Sequence, residues 1–291
     1  MKPAIPNSSP SRSESTTVIE PSRGWFAFDW RELWSYRELI ILFAKRNVTI
    51  TYKQTILGPV WFLIQPVITS VVFSVIFGRV AKIATDGIPH MLFYMSGLLG
   101  WNYFNGVLTG AGRSLLQSKA LVSKIWFPRM VLPCAYVFSN LAYLALNFAI
   151  FCGFYIYFAA TGAPVAPTWA ILILPFVLVW LAAAGLGVGL LVAALTAKYR
   201  DLNFALPFIM QMWMYATPVI YPVRGVSDPL FLAILRLNPV GPAMEATRYA
   251  LMGRGSIVWP DIACSIAVTA LILVVGFAAF NRAQRVIADH L

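Results

Sequence analysis

Between Arg129 and Lys198 the chain carries no Asp, Glu, Lys or Arg. The run is interrupted only by a turn-like stretch, Thr161-Gly162-Ala163-Pro164-Val165-Ala166-Pro167. A soluble fold has no use for so long a segment without a wettable face. A bilayer core takes roughly 20 apolar residues per helical crossing. The run therefore predicts two crossings, at about 132–158 and 169–197, joined by a short turn.

Four further uncharged runs predict spans at about 59–78, 90–111, 203–221 and 261–281. The composition agrees: 59% of residues are hydrophobic and only 11% charged, against about 25% charged in a typical soluble domain. The predicted fold class is an all-α integral membrane protein with six transmembrane helices. Six crossings put both termini on one side, and the positive-inside rule chooses the side. Of the 22 Lys and Arg, only Arg79, Lys82, Arg224, Arg236, Arg248 and Arg254 fall outside if the termini are cytoplasmic. Topology thus accounts for the net charge of +11, and no nucleic-acid partner is expected. Cys134, Cys152 and Cys264 lie in apolar runs without metal or disulfide spacing, so they read as packing residues.

Three divisions follow. Residues 1–24, rich in Ser and Pro and without the apolar core of a signal peptide, predict a disordered tail. Residues 25–53 predict an amphipathic helix lying along the cytoplasmic surface, the alternative being an ordinary soluble helix packed on a partner. There Leu33, Tyr36, Ile40, Phe43, Asn47 and Ile50 recur at helical spacing. Asp29 followed by Glu32 forms a capping-box pattern at its start. Residues 54–291 form the membrane domain. Within it, Pro229–Leu237 and Ala243–Met252 are too short to span and are split by Asn238-Pro239-Val240-Gly241-Pro242. They predict a re-entrant outer hairpin before the sixth crossing, with Asn238, Pro239, Gly241 and Pro242 shaping an outer gate; the alternative is a surface loop with two helical turns.

Three motifs, in this order and spacing, resemble the permease subunits of ABC-2 type exporters, especially those exporting polysaccharides such as O-antigen. The first is Tyr52-Lys53-Gln54-Thr55-Ile56-Leu57-Gly58-Pro59-Val60-Trp61, running on to Gln65-Pro66. The second is the Asn105–Pro133 stretch with Lys124-Ile125-Trp126-Phe127-Pro128. The third is Lys198-Tyr199-Arg200-Asp201-Leu202 followed by Thr217-Pro218-Val219-Ile220-Tyr221-Pro222. The family form commonly has Arg-Gly or Arg-Ser near Lys53-Gln54-Thr55, so the first motif is close without being complete. The resemblance implies a homodimer in a bacterial inner membrane, working with two copies of a separate ATPase that binds ATP and Mg²⁺. No cofactor is expected in this chain. Arg113, Lys119, Lys124 and Arg129 would then flank the segment that contacts the ATPase.

A path for sugar should mix aromatic rings, which pack on C–H faces, with uncharged amides that bond hydroxyls. Such mixtures occur on single helical faces. Tyr136, Asn140, Tyr143 and Asn147 form one, and Phe204, Phe208, Gln211 and Tyr215 another. Trp61 and Gln65 align with Thr69, and Asn102 and Asn105 with Thr109. The competing reading is interhelical glue. Gly185-Leu186-Gly187-Val188-Gly189 lacks the Lys and Ser/Thr of a phosphate loop and predicts close helix packing instead. Glu245 and Arg248 are spaced to pair on one helix face. Catalysis has no candidate cluster: His90 and His290 stand apart and no carboxylate pair lies within a span. The expected function is export of a lipid-linked glycan, most nearly O-antigen, from cytoplasm to periplasm. The alternatives are an ABC-2 permease for another cargo, or a membrane enzyme that modifies glycolipids.

Overall fold

The computed structural model describes residues 30–53, 60–117 and 127–288. Among these, every regular element is helical. Helix α1 (Trp30–Ser35) meets α2 (Arg37–Lys53) at a break on Tyr36. The Asp29 of the predicted capping box lies outside the described residues. The apolar face read from the sequence has two uses. Leu33, Tyr36, Ile40 and Phe43 pack on Phe127, Val131, Leu132 and Ala135 at the start of α5 (Val131–Ala160). Asn47 and Ile50, one turn on, reach a cavity described below.

Helix α3 (Val60–Phe73) continues into a π-helical turn over Ser74–Val80. Pro66 in its interior has no N–H to give. The carbonyls there are used by side chains: Ser70 Oγ donates to the Pro66 oxygen at 2.8 Å and Thr69 Oγ1 to the Gln65 oxygen at 2.9 Å.

Helix α4 (His90–Gln117) is the centre of the core. One face meets α6 (Leu174–Lys198), and α6 in turn meets α10 (Trp259–Ala288). The Gly185 triplet makes both contacts. A methyl on Gly185 would stand 2.9 Å from the Phe104 carbonyl oxygen, and one on Gly189 2.8 Å from that of Leu108. Gly187 faces the other way, against the backbone of Leu273 and Gly276. The backbones therefore touch directly on both sides of α6, as small residues allow where water provides no drive for association.

Among the described residues four helices are long and apolar enough to cross a membrane: Leu63–Val80, Val131–Ala160, Trp169–Lys198 and Trp259–Gln284. Helix α4, with 28 residues, has the length but interleaves Ser96, Asn102, Asn105, Thr109 and Ser114. Helix α7 (Leu202–Tyr215) has 14 residues, about 21 Å at 1.5 Å per residue. It stops short of the predicted end at 221 because Thr217 precedes Pro218, and that position disfavours helix. Turns carry the chain from there to Tyr221.

The predicted split before the last helix is present as α8 (Pro229–Leu237) and α9 (Gly241–Met252). Asp228 caps α8, accepting from the backbone N–H groups of Leu230 and Phe231 at 2.8 and 3.1 Å. Helix α9 ends on Gly253 in the left-handed region, φ 66°.

Candidate functional site

Helices α2, α3, α4 and α5 line a half-open cavity of about 790 Å³. Helix α5 supplies Tyr136, Ser139, Asn140, Tyr143 and Asn147; α4 supplies Asn102, Asn105, Gly106, Thr109, Gly110, Arg113 and Gln117. Gln65, Pro66 and Thr69 come from α3, and Arg46, Asn47 and Ile50 from α2. In a chain so apolar, polar side chains from four helices converge on one space.

The hydrogen bonds show how these groups are held. Asn140 Nδ2 donates to the Tyr136 carbonyl at 2.7 Å, and Asn147 Nδ2 to that of Tyr143 at 2.9 Å. Thr109 Oγ1 donates to the Asn105 carbonyl at 2.7 Å. Each satisfies a donor on its own helix, one turn back. They are not glue between helices. Two acceptors are left over: Asn105 Oδ1 and Asn147 Oδ1 are buried and have no hydrogen-bond partner among the described residues. A buried acceptor without a donor costs about 1–3 kcal/mol. Both oxygens lie beneath the wall, closed to anything in the cavity, and their cost is carried by the fold.

Small residues make the wall possible. A methyl on Gly106 would collide with the Asn140 amide, and one on Gly110 with the Tyr136 ring. The two glycines, one turn apart on α4, are seats for the two side chains opposite. Tyr136 is held further by its hydroxyl, which donates to Gln117 Oε1 at 2.6 Å across α4 and α5.

Of the residues expected on a sugar path, seven meet here: Gln65, Asn102, Asn105, Tyr136, Asn140, Tyr143 and Asn147. The rest lie elsewhere in the chain. Trp61 on α3 is exposed, and Phe204, Phe208, Gln211 and Tyr215 occupy an exposed face of α7. Sequence reasoning did not single out Arg46, Gly106, Gly110, Gln117 or Ser139. The i, i+4 spacing of Gly106 and Gly110 was the one available signal.

The residues expected to meet an ATPase also separate. Arg113 lines the cavity. Arg129 is partly buried and donates from Nη1 to the Gln284 carbonyl of α10 at 2.7 Å. Burial lowers its pKa from the usual guanidinium value. Lys119 and Lys124 lie outside the described residues.

At the other end of α4, Asn238 is a buried joint rather than a free loop residue. Its Nδ2 donates to Thr217 Oγ1 at 2.9 Å, its Oδ1 accepts from the Val240 N–H at 3.1 Å, and its carbonyl accepts from Ser265 Oγ at 3.0 Å. Pro239 is buried beside it. Gly241 and Pro242 line a smaller cavity of about 250 Å³ with Arg224, Arg236, Glu245 and Asp261. Arg236 pairs with Asp261 at 3.3 Å.

The expected pair of Glu245 and Arg248 forms at 2.8 Å and is buried, with Arg248 only 1% exposed. Arg248 Nη2 also donates to the Val219 carbonyl at 2.7 Å, and its guanidinium carbon lies 3.9 Å from the centre of the Phe93 ring. Glu245 Oε2 accepts from the backbone N–H of Ser256 at 3.2 Å. The charge thus sits in a recess built by α4, the turn after α7, and α9. No group of three or more His, Cys, Asp and Glu side chains suited to a metal occurs among the described residues.

Comparison with known proteins agrees with this architecture. The O-antigen export system permease protein RfbA of Myxococcus xanthus is 29% identical over 218 residues, spanning 74% of this chain and 81% of that protein. Two proteins of the same name from Klebsiella pneumoniae are 21% and 20% identical over 254 residues, spanning 87% of this chain and 95% of each relative. Residues 38–252 match the ABC-2 type transporter family. That match takes in α2, the whole cavity wall, and the chain as far as α9. By this measure, and by the motifs of its sequence, the chain belongs to the ABC-2 type transporter family.

Proposed function

We propose that this chain is the membrane-spanning permease subunit of an ATP-driven exporter that moves a lipid-linked glycan of the O-antigen type from cytoplasm to periplasm. The observation that carries the reading is the 790 Å³ cavity, whose wall mixes tyrosines with amides. Sugar rings stack on the former and sugar hydroxyls donate to the latter. The names of the relatives support the same cargo class.

In this reading the chain crosses the inner membrane six times, through α3, α4, α5, α6, α7 with its following turn, and α10. Both termini lie in the cytoplasm, and α8 with α9 forms a re-entrant hairpin toward the periplasm. Two copies assemble side by side, and the exposed stripe of Phe204, Phe208, Gln211 and Tyr215 faces the second copy. Two ATPase chains bind ATP and Mg²⁺ and act on the segment between Arg113 and Arg129 and on α2. This chain supplies the path and the partner supplies the energy.

The test is export in cells of the native host. Deleting the chain is expected to remove long-chain glycan from the cell surface and leave it inside, and co-purification is expected to bring down an ATPase whose hydrolysis rises with added glycolipid. Surface glycan unchanged by the deletion would overturn the reading.

A further inference from the structure

The smaller cavity, at the opposite end of α4, is lined by α8, α9, the start of α10 and the turn at Val223–Gly225. Its volume of about 250 Å³ suits one polar group rather than a chain of sugars. Four charged side chains line it: Arg224, Arg236, Glu245 and Asp261. Glu245 is already satisfied. Its Oε1 accepts from Arg248 Nη1 at 2.8 Å and its Oε2 from the Ser256 N–H at 3.2 Å. Asp228, at the start of α8, caps its own helix. Two guanidiniums therefore face Asp261 alone. Arg236 Nε pairs with Asp261 Oδ1 at 3.3 Å. Arg224 donates from Nη2 to the Gly255 carbonyl at 3.1 Å and has no carboxylate partner among the described residues. The cavity thus carries one positive charge that its own carboxylates do not neutralise.

The rim of this cavity is apolar and faces outward. Leu230, Ile234 and Leu237 fall at i, i+4 and i+7 of α8, and all three are exposed. Trp259, at the start of α10, is 71% exposed. An apolar patch of this kind marks a contact with membrane or protein, and a tryptophan beside arginines suits the headgroup layer of a bilayer. Helix α8 has the character of a helix lying in that layer, with leucine and isoleucine toward the acyl chains and the exposed Arg236 at the level of the headgroups. A free anion has no use for the apolar rim, whereas a lipid uses both parts. The fork of a guanidinium bonds two phosphate oxygens at once.

We propose that Arg224 and Arg236 hold the phosphodiester of one glycerophospholipid, whose acyl chains lie along Leu230, Ile234 and Leu237 of α8. The single negative charge of the diester matches the single positive charge left over in the cavity. The lipid fills the seam between α8 and α10, so the hairpin is completed by lipid rather than by protein. The inference rests on the proposed topology for the side alone, which places this lipid in the periplasmic leaflet.

The test is native mass spectrometry of the full chain with its ATPase partner. The complex is stripped of lipid in dodecyl maltoside, then offered phosphatidylglycerol, diacylglycerol with the same acyl chains, or glycerol phosphate at equal concentration. Other basic parts of the chain also attract anionic lipid, so the reading is the difference between wild type and variant. The wild type is expected to carry one more phosphatidylglycerol per chain than Arg224→Gln, and the double variant Arg224→Gln, Arg236→Gln to match the single one. Diacylglycerol and glycerol phosphate are expected to show no such difference.

Equal phosphatidylglycerol on wild type and Arg224→Gln overturns the proposal. Glycerol phosphate retained as well as phosphatidylglycerol assigns the site to a free anion and overturns it too. So does a wild type that holds phosphatidylglycerol no better than diacylglycerol, without recourse to any variant. None of these measurements involves transport, so each leaves the export reading standing. Surface glycan unchanged by deletion of the chain would remove that reading and leave the bound lipid in place.

Discussion

Helix α4 has two working faces, and they are built on opposite principles. Toward α6 it is dry: Gly185 and Gly189 let the backbones touch, and a methyl at Gly189 would stand 2.8 Å from the Leu108 carbonyl. Toward α5 it is wet in character: Gly106 and Gly110 leave room for Asn140 and Tyr136 to project, and polar side chains of both helices line the space between. Glycine serves both faces, closing the gap on one and holding it open on the other. The comparison teaches that rigidity and passage are shared out around one helix rather than along it. A fixed dry seam behind α4 keeps its polar wall in place.

The sharpest way to break the comparison is to strip the dry side of its buried charge. Arg248→Ala leaves Glu245 buried without its partner, a loss of about 3–5 kcal/mol. Thermal unfolding in detergent should move sharply downward and the protein should fail to accumulate. An unchanged unfolding temperature would mean that α9 is not anchored on α4 through this pair. Next in size is Gly189→Leu, which forces α4 and α6 apart. Overpacking of this kind costs about 1–3 kcal/mol. Reduced yield and a lowered unfolding temperature are expected, with export lost only in proportion to the protein lost.

The wet side should respond in the opposite sense. Gly110→Ala drives the Tyr136 ring from its seat, so export per molecule should fall severalfold while the unfolding temperature falls less than for Gly189→Leu. Smallest in stability is Asn140→Ala. It removes a bond to its own helix, and polar side-chain bonds within membranes average about 0.6 kcal/mol. Unfolding should be nearly unchanged, yet surface glycan should drop. Stability loss without export loss at Asn140 would reverse the assignment of the two faces.

How far this division could be read beforehand depends on what periodicity encodes. The spacing of Tyr136, Asn140, Tyr143 and Asn147 named a helical face, and those four meet in one cavity. The spacing of Phe204, Phe208, Gln211 and Tyr215 is as regular, yet that face points away from the same space. Period gives the face of a helix and not what lies opposite it. For the same reason the pairing of Glu245 with Arg248 was legible three residues apart, while Phe93 and Val219, distant in the chain, were not. The Gly185 triplet was readable as packing because nothing near it bonds phosphate. That α6 uses alternate glycines for two different neighbours was not, since only the assembled bundle decides which side each meets. Arg113 was read for its charge alone, and its place in the cavity depends on how α2 and α5 lie against α4.

The Arg248 recess also orders the making of the protein. Phe93 and Gly97 emerge from the ribosome first, Val219 much later, and Arg248 and the Ser256 N–H that braces Glu245 later still. Until residue 256 has been synthesised, the recess beside Phe93 and Gly97 lacks the braced guanidinium that fills it in the finished chain. A chain cut short before Arg248 therefore leaves the Phe93 and Val219 contacts of this recess unmade.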